Sequence, residues 1–205
     1  MASLMKKESH RYEHHKTKLG KVWHFLSHED SWQSFLVDAA LILLIGKYLV
    51  FPTIGFALDT NYPLVAVVSG SMDHHGQEFD EWWEDNGQWY LNHNITKEQF
   101  KEYHKSEGFR KGDVFVVKGL DSEKVKVGDV LIYTTEGRRD PIIHRVVTLN
   151  EDGTFATKGD ANMDQLTFEK SINLSQIHGK SVVWVPFIGW VKVALIDFIN
   201  SIMRR

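Results

Sequence analysis

The chain predicts a mainly β fold: an antiparallel barrel or sandwich behind an N-terminal transmembrane helix, with a helix-containing insertion and a C-terminal amphipathic helix. Three observations carry this. Five short β-branched runs punctuated by glycine fill the second half, one long apolar segment stands near the start, and an acidic, tryptophan-rich stretch separates them. A length of 205 residues suits one domain of ordinary size with an appendage.

Residues 1–30 hold six Lys/Arg, among them Lys6, Arg11 and Lys21, and five histidines without a long apolar run, and are expected to form a solvated basic tail. Residues 31–58, SWQSFLVDAALILLIGKYLVFPTIGFAL, exceed the roughly 20 residues that cross a hydrocarbon core of about 30 Å. Asp38 lies near one end. Lys47 lies near the middle, where a charge costs about 2.5 to 3.5 kcal/mol unless it snorkels or pairs. No small-residue cleavage site follows, so the segment reads as an uncleaved signal anchor rather than a removable leader. No Lys or Arg occurs between Ala57 and Thr96, so the positive-inside rule places the N-terminus in the cytoplasm and the remainder on the other side of a cell membrane.

Residues 59–185 form the expected β-rich domain. YPLVAVVSGSM reads as a buried strand ending in a tight turn at Gly70. Residues 73–109 carry nine acidic residues with Trp82, Trp83, Trp89 and Tyr90 and read as an excursion containing a helix from Thr96 to His104, with Thr96 as N-cap. DVFVVK (113–118), DVLIYT (129–134), IIHRVVTL (142–149), TFATK (154–158) and SVVWV (181–185) are the strands. In residues 186–205, Ile188, Val191, Leu195, Phe198 and Ile202 share one helical face, which predicts an amphipathic helix on the membrane or the barrel in preference to a second span.

Composition narrows the chemistry. A net charge of -3 combines +2 in residues 1–30, 0 in 31–58, -7 in 59–109 and +2 in 110–205, a poor match to a nucleic-acid surface. No dinucleotide or P-loop glycine motif occurs. With no cysteine, a covalent mechanism needs another nucleophile. Ser71, after Gly70 at a strand end, is placed where a turn exposes a hydroxyl and aims backbone N–H groups at an oxyanion. His144 interrupts a β-run on the face of Ile142 and Val146, and Asp160 follows Gly159 just after a strand. Singly these are ordinary features: a turn serine, a structural histidine, an Asx-turn. Together they supply nucleophile, base and orienting carboxylate.

The ordered set VVSGSM, GDVLIY, PIIHRVV, TKGDAN and VPFIGWV, behind an apolar anchor, resembles signal peptidase I of the archaeal and endoplasmic-reticulum type over roughly residues 33–193. The resemblance implies a membrane-bound serine endopeptidase that removes signal peptides from exported preproteins without a cofactor. It places the nucleophile on Ser71, an oxyanion-hole hydroxyl on Ser69 beside the Ser71 N–H, the base on His144 and its acidic partner on Asp160. The implied partners are signal peptides, the lipid bilayer and further membrane or secretion-machinery subunits. Two features depart from the family pattern. A second aspartate usually follows the Gly-Asp box by five or six residues, whereas Asp164, a candidate accessory acid, follows by four; and the 73–109 excursion is longer than usual. Three other readings compete: a Ser/Lys peptidase using Lys118 or Lys158, a metallohydrolase using His74, His75 and His93, and a membrane-anchored binding module with an inert Ser71.

Overall fold

Alternation of β-branched residues with turn glycines builds six strands: β1 (Leu64–Ala66), β2 (Val114–Lys118), β3 (Val130–Tyr133), β4 (Ile142–Leu149), β5 (Phe155–Lys158) and β6 (Ile177–Val185). The computed structural model describes residue 17 and residues 32–138, 140–190, 193, 194 and 201. The predicted basic tail and most of the predicted C-terminal helix lie outside the described residues. The chain divides into two units, Met1–Thr53 and Ile54–Arg205.

The strands form one sheet in the order β1-β2-β6-β3-β4-β5, every pair antiparallel. The expected mainly β, antiparallel fold is present, and among the described residues it is a six-stranded sheet with β1 and β5 at the ends of the strand order. β6 starts four residues before the predicted run. Its Gly179, at φ 149°, reads as a breaker in sequence but is absorbed where the β3–β6 register shifts between Ile132 and Tyr133.

The first unit ends within α1 (Trp32–Ala57), a helix of 26 residues. Its apolar side chains face outward around the helix: Ile42 is 69% exposed and Leu43 72%. A helix apolar on all sides is solvated by lipid, and by length and composition this one can span a membrane. Residues Gly46–Val50 form a π turn within it. Pro52 follows, lacks an N–H and crowds the carbonyl four residues back, and the wider turn relieves that conflict. The Lys47 ammonium lies 5.2 Å from the Tyr48 ring centre, so the charge is partly covered by an aromatic face.

In the second unit, Val65, Val67, Met72, Phe115, Val117 and Ile132 belong to one buried cluster beneath β1–β3. Leu131, Tyr133, Val146 and Phe155 belong to another. The acidic excursion is folded, not a loose loop. Its helices are α2 (Phe79–Leu91) and α3 (Lys97–Lys101), the latter started by a Thr96/Gln99 capping box. Their aromatic face, Trp82, Trp83, Tyr90 and Phe100, packs on Val147 of β4 and Ala156 of β5. The acidic residues Asp80, Glu81, Glu84 and Asp85 occupy the exposed side of α2. Each buried ring removes about 150–250 Å² from water, which explains why a segment so rich in charge stays on the sheet.

Candidate active site

Ser71 sits in a turn closed by the Asp73 N–H donating to the Gly70 carbonyl at 3.0 Å. Three more backbone bonds hold the surrounding strand: Gly112 N–H to Val67 O, Phe109 N–H to Met72 O, and Ala161 N–H to Ser71 O, the last at 2.9 Å. The serine is therefore fixed from both ends of the excursion and from the segment after β5. Ser69 Oγ lies 3.3 Å from Ser71 Oγ.

β4 delivers His144, which is only 4% exposed. Its Nε2 is 2.9 Å from Ser71 Oγ, within reach for the hydroxyl to donate. Its Nδ1 is hydrogen-bonded to Glu169 Oε1. Glu169 is fully buried on the 3₁₀ turn Thr167–Lys170, and its Oε2 accepts the Leu166 N–H at 2.6 Å. With both oxygens engaged, the carboxylate cannot rotate away, and the nitrogen facing it carries the proton. Hydroxyl, imidazole and carboxylate thus form a continuous line.

Asp160 stands elsewhere. The expectation that it orients His144 is corrected by the geometry: its carboxylate accepts from Arg145 Nε and Nη2, at 3.0 and 2.7 Å, and from the Tyr90 hydroxyl at 3.1 Å. The buried His74 ring, stacked on Trp82 at 3.8 Å, brings its Nε2 to 3.5 Å. Burial raises the Asp160 carboxyl, but the Arg145 charge and hydrogen bonds, with the nearby His74 ring, outweigh it and hold the group well below the usual carboxylate range. The physical reason for the exchange is register: β5 pairs Lys158 with Arg145, so the residues just beyond it meet the guanidinium instead of the imidazole.

All five N–H donors of Arg145 are used. Besides Asp160 they reach the carbonyls of His104 and Gly128 from Nη1 and of Lys105 from Nη2, at 2.9 to 3.1 Å. His104 and Lys105 belong to the excursion, so a buried ion pair ties that segment to the strand bearing His144. Asp164 also lies apart from the imidazole. It is exposed, accepts the Trp89 indole N–H at 2.8 Å, and is held below its ordinary value first by that bond.

Lys118 ends β2 on the exposed side, whereas Lys158 is 1% exposed and donates to Gly159 O. The histidines of the excursion do not converge: His74 packs on Trp82, His93 stacks on Trp89, and His75 is exposed. Glu169 and Gly159 were the residues that sequence reasoning missed. Glu169 lies in TFEK, a polar run indistinguishable from a surface turn. Gly159 has a steric signature only in three dimensions: a Cβ there would lie 2.7 Å from Ser71 O and 2.9 Å from His144 Nε2.

A cleft of about 460 Å³ opens over the pair. Its lining includes the apolar Ala66, Val67, Val68, Ile142 and Ile143, with Arg138 and Asp140 among the charged members. Such a trough suits an extended peptide with small or apolar side chains.

No protein-family model matches the chain. It is similar to the signal peptidase complex catalytic subunit sec11 of Schizosaccharomyces pombe, 30% identical over 167 residues, which are 77% of this chain and 80% of that protein. The corresponding subunit of Colletotrichum graminicola is 28% identical over 174 residues, 80% of this chain and 81% of its own length. Signal peptidase complex catalytic subunit SEC11C of Homo sapiens is 27% identical over 99 residues, covering 44% of this chain and 52% of that protein.

Proposed function

Since this chain belongs to the family of signal peptidase catalytic subunits, and is therefore a protease, we propose that it cleaves signal peptides from exported preproteins with Ser71 as nucleophile, His144 as general base and Glu169 as the orienting carboxylate. The observation that carries the reading is the 2.9 Å approach of Ser71 Oγ to His144 Nε2. A serine hydroxyl is a weak nucleophile near neutral pH and needs such a base.

The substrate lies extended in the cleft. Ser71 Oγ attacks the scissile carbonyl carbon as its proton passes to His144 Nε2. The carbonyl oxygen becomes an oxyanion, which the Ser71 N–H and the Ser69 hydroxyl bind; each such donor contributes about 2.7 to 4 kcal/mol in the transition state. Glu169 stabilises the imidazolium. The C–N bond then breaks, His144 Nε2 gives its proton to the leaving amine, and the mature protein departs. Water attacks the remaining ester, loses a proton to His144 and releases the signal peptide as a carboxylic acid while Ser71 Oγ regains its hydrogen.

The helix α1 anchors the enzyme in the bilayer that holds its substrate, which raises their effective concentration without any contact between them. The basic tail is on the cytoplasmic side and the catalytic domain on the other. Because the relatives are subunits of a signal peptidase complex, further membrane subunits are the partners this chain takes.

The test is cleavage of a preprotein by the full chain in lipid. Ser71→Ala and His144→Ala each lower kcat by at least about 10³-fold. Full activity of His144→Ala or of Ser71→Ala overturns the mechanism; no cleavage by the wild-type chain leaves a binding module in place of a peptidase.

A further inference from the structure

Lys158 is a buried charged group close to the reacting pair that the mechanism above does not use. It ends β5 opposite Arg145 and is 1% exposed. Its ammonium donates to Gly159 O at 3.1 Å and faces the rings of Trp89 and Tyr90, with centres 5.0 and 4.9 Å away. Both rings belong to α2 of the excursion, so a segment outside the sheet closes over the lysine.

The atom that Lys158 holds is central to the site. Gly159 O also accepts the Asn162 N–H at 3.0 Å, closing a turn over residues 159–162. That turn sends the Ala161 N–H to Ser71 O and places Asn162 in the cleft. Its first residue abuts the reacting pair so closely that no side chain fits there. Lys158 therefore grips the peptide on which Ser71 and His144 both rest. The charged and titratable groups around it are Asp160, Glu169, Arg145, Tyr90 and the exposed Asp164. Among the buried ones, two carboxylates, Asp160 and Glu169, face two cations, Arg145 and Lys158. Removing the Lys158 charge leaves that group with one net negative charge next to a forming oxyanion.

We propose that Lys158 is a positioning residue: its ammonium, caged by Trp89 and Tyr90 of the excursion, clamps the 159–162 turn against Ser71 and His144, and cleavage requires it charged. The proposal rests on Ser71 and His144 being the reacting pair. Burial lowers the Lys158 amine from its ordinary value to about 8, so the clamp loosens in mildly alkaline solution. The sign separates this role from a general base. A lysine base works neutral, and activity then rises with pH through the same range; a clamping ammonium makes activity fall.

The experiment measures kcat/KM for preprotein cleavage by the full chain in lipid from about pH 6 to about pH 10, for wild type, Lys158→Arg, Lys158→Met and Ser71→Ala. Wild-type activity falls above about pH 8 toward the level of Lys158→Met, by about tenfold or more. Lys158→Arg keeps neutral activity within a few-fold, and its alkaline limb moves up by more than about one pH unit, because a guanidinium stays charged. Lys158→Met is lower by about tenfold or more at neutral pH, with the alkaline limb lost. A wild-type profile in Lys158→Met, an unmoved limb in Lys158→Arg, or activity that rises through this range overturns the clamp. If the methionine variant does not fold, the arginine limb decides. An inactive Ser71→Ala alongside an unmoved limb overturns the clamp alone, whereas an active Ser71→Ala overturns the reacting pair and the clamp with it.

Discussion

Changing Glu169 to glutamine alters hydrogen-bond chemistry at nearly constant volume, and the structure dictates how. Glu169 now accepts twice, from His144 Nδ1 and from the Leu166 N–H. An amide has one accepting oxygen and one donating NH2. If the oxygen stays with Leu166, the NH2 faces Nδ1 and requires a lone pair there. The imidazole proton then moves to Nε2, which can no longer accept from Ser71 Oγ. If the oxygen turns to Nδ1, the NH2 opposes the Leu166 N–H, and a buried donor left unpaired costs about 1 to 3 kcal/mol. In either orientation the imidazolium loses its counter-charge. The corresponding acid-to-amide change in serine proteases lowers kcat about 10⁴-fold, or about 5.5 kcal/mol of barrier, and Glu169→Gln is expected to match it. Preprotein cleavage in lipid at neutral pH, with near-UV circular dichroism to establish native packing, is the assay. A folded Glu169→Gln within tenfold of wild type refutes the assignment of this carboxylate.

Two further outcomes follow from contacts at the same site. Asp160→Asn removes the counter-charge of a guanidinium with no exposed surface and destabilises the fold by about 3 to 5 kcal/mol, read as a lowered Tm. The protein that remains folded still cleaves, since Asp160 does not touch His144, and an unchanged Tm contradicts the structural role. Gly159→Ala forces a Cβ to within 2.7 Å of Ser71 O and displaces the pair, which lowers kcat by about 10²-fold. A wild-type kcat in a folded Gly159→Ala contradicts the close approach.

Much of this geometry was legible because it follows from local pattern. IIHRVVTL is rich enough in β-branched residues that β4 spans the predicted Ile142–Leu149, which puts a histidine on a sheet where a serine turn can meet it. Thr96 marks its helix by capping chemistry alone. The orienting acid was not legible, since a Gly-Asp step after a strand next to β4 points to Asp160, and only the pairing of Lys158 with Arg145 diverts that carboxylate to the guanidinium. Glu169 is buried by how a 3₁₀ turn packs, and no periodicity records that. In the excursion, acidic residues interleaved with tryptophans give α2 little contrast, because its aromatic face has a partner only once β4 and β5 are paired.

The saturated guanidinium of Arg145 has a consequence for how the molecule opens. Lifting the excursion off the sheet breaks two carbonyl bonds to the guanidinium, the Tyr90 bond to its Asp160 partner and the aromatic cover in one event. Partial opening therefore has no cheap intermediate, and the segment shares the cooperative unit of β4 and β5 despite its length and acidity. Its slowest-exchanging amides are expected to exchange with those of β4, in a single step close to global unfolding. A loop-like insertion is thereby bound into the most protected part of the domain.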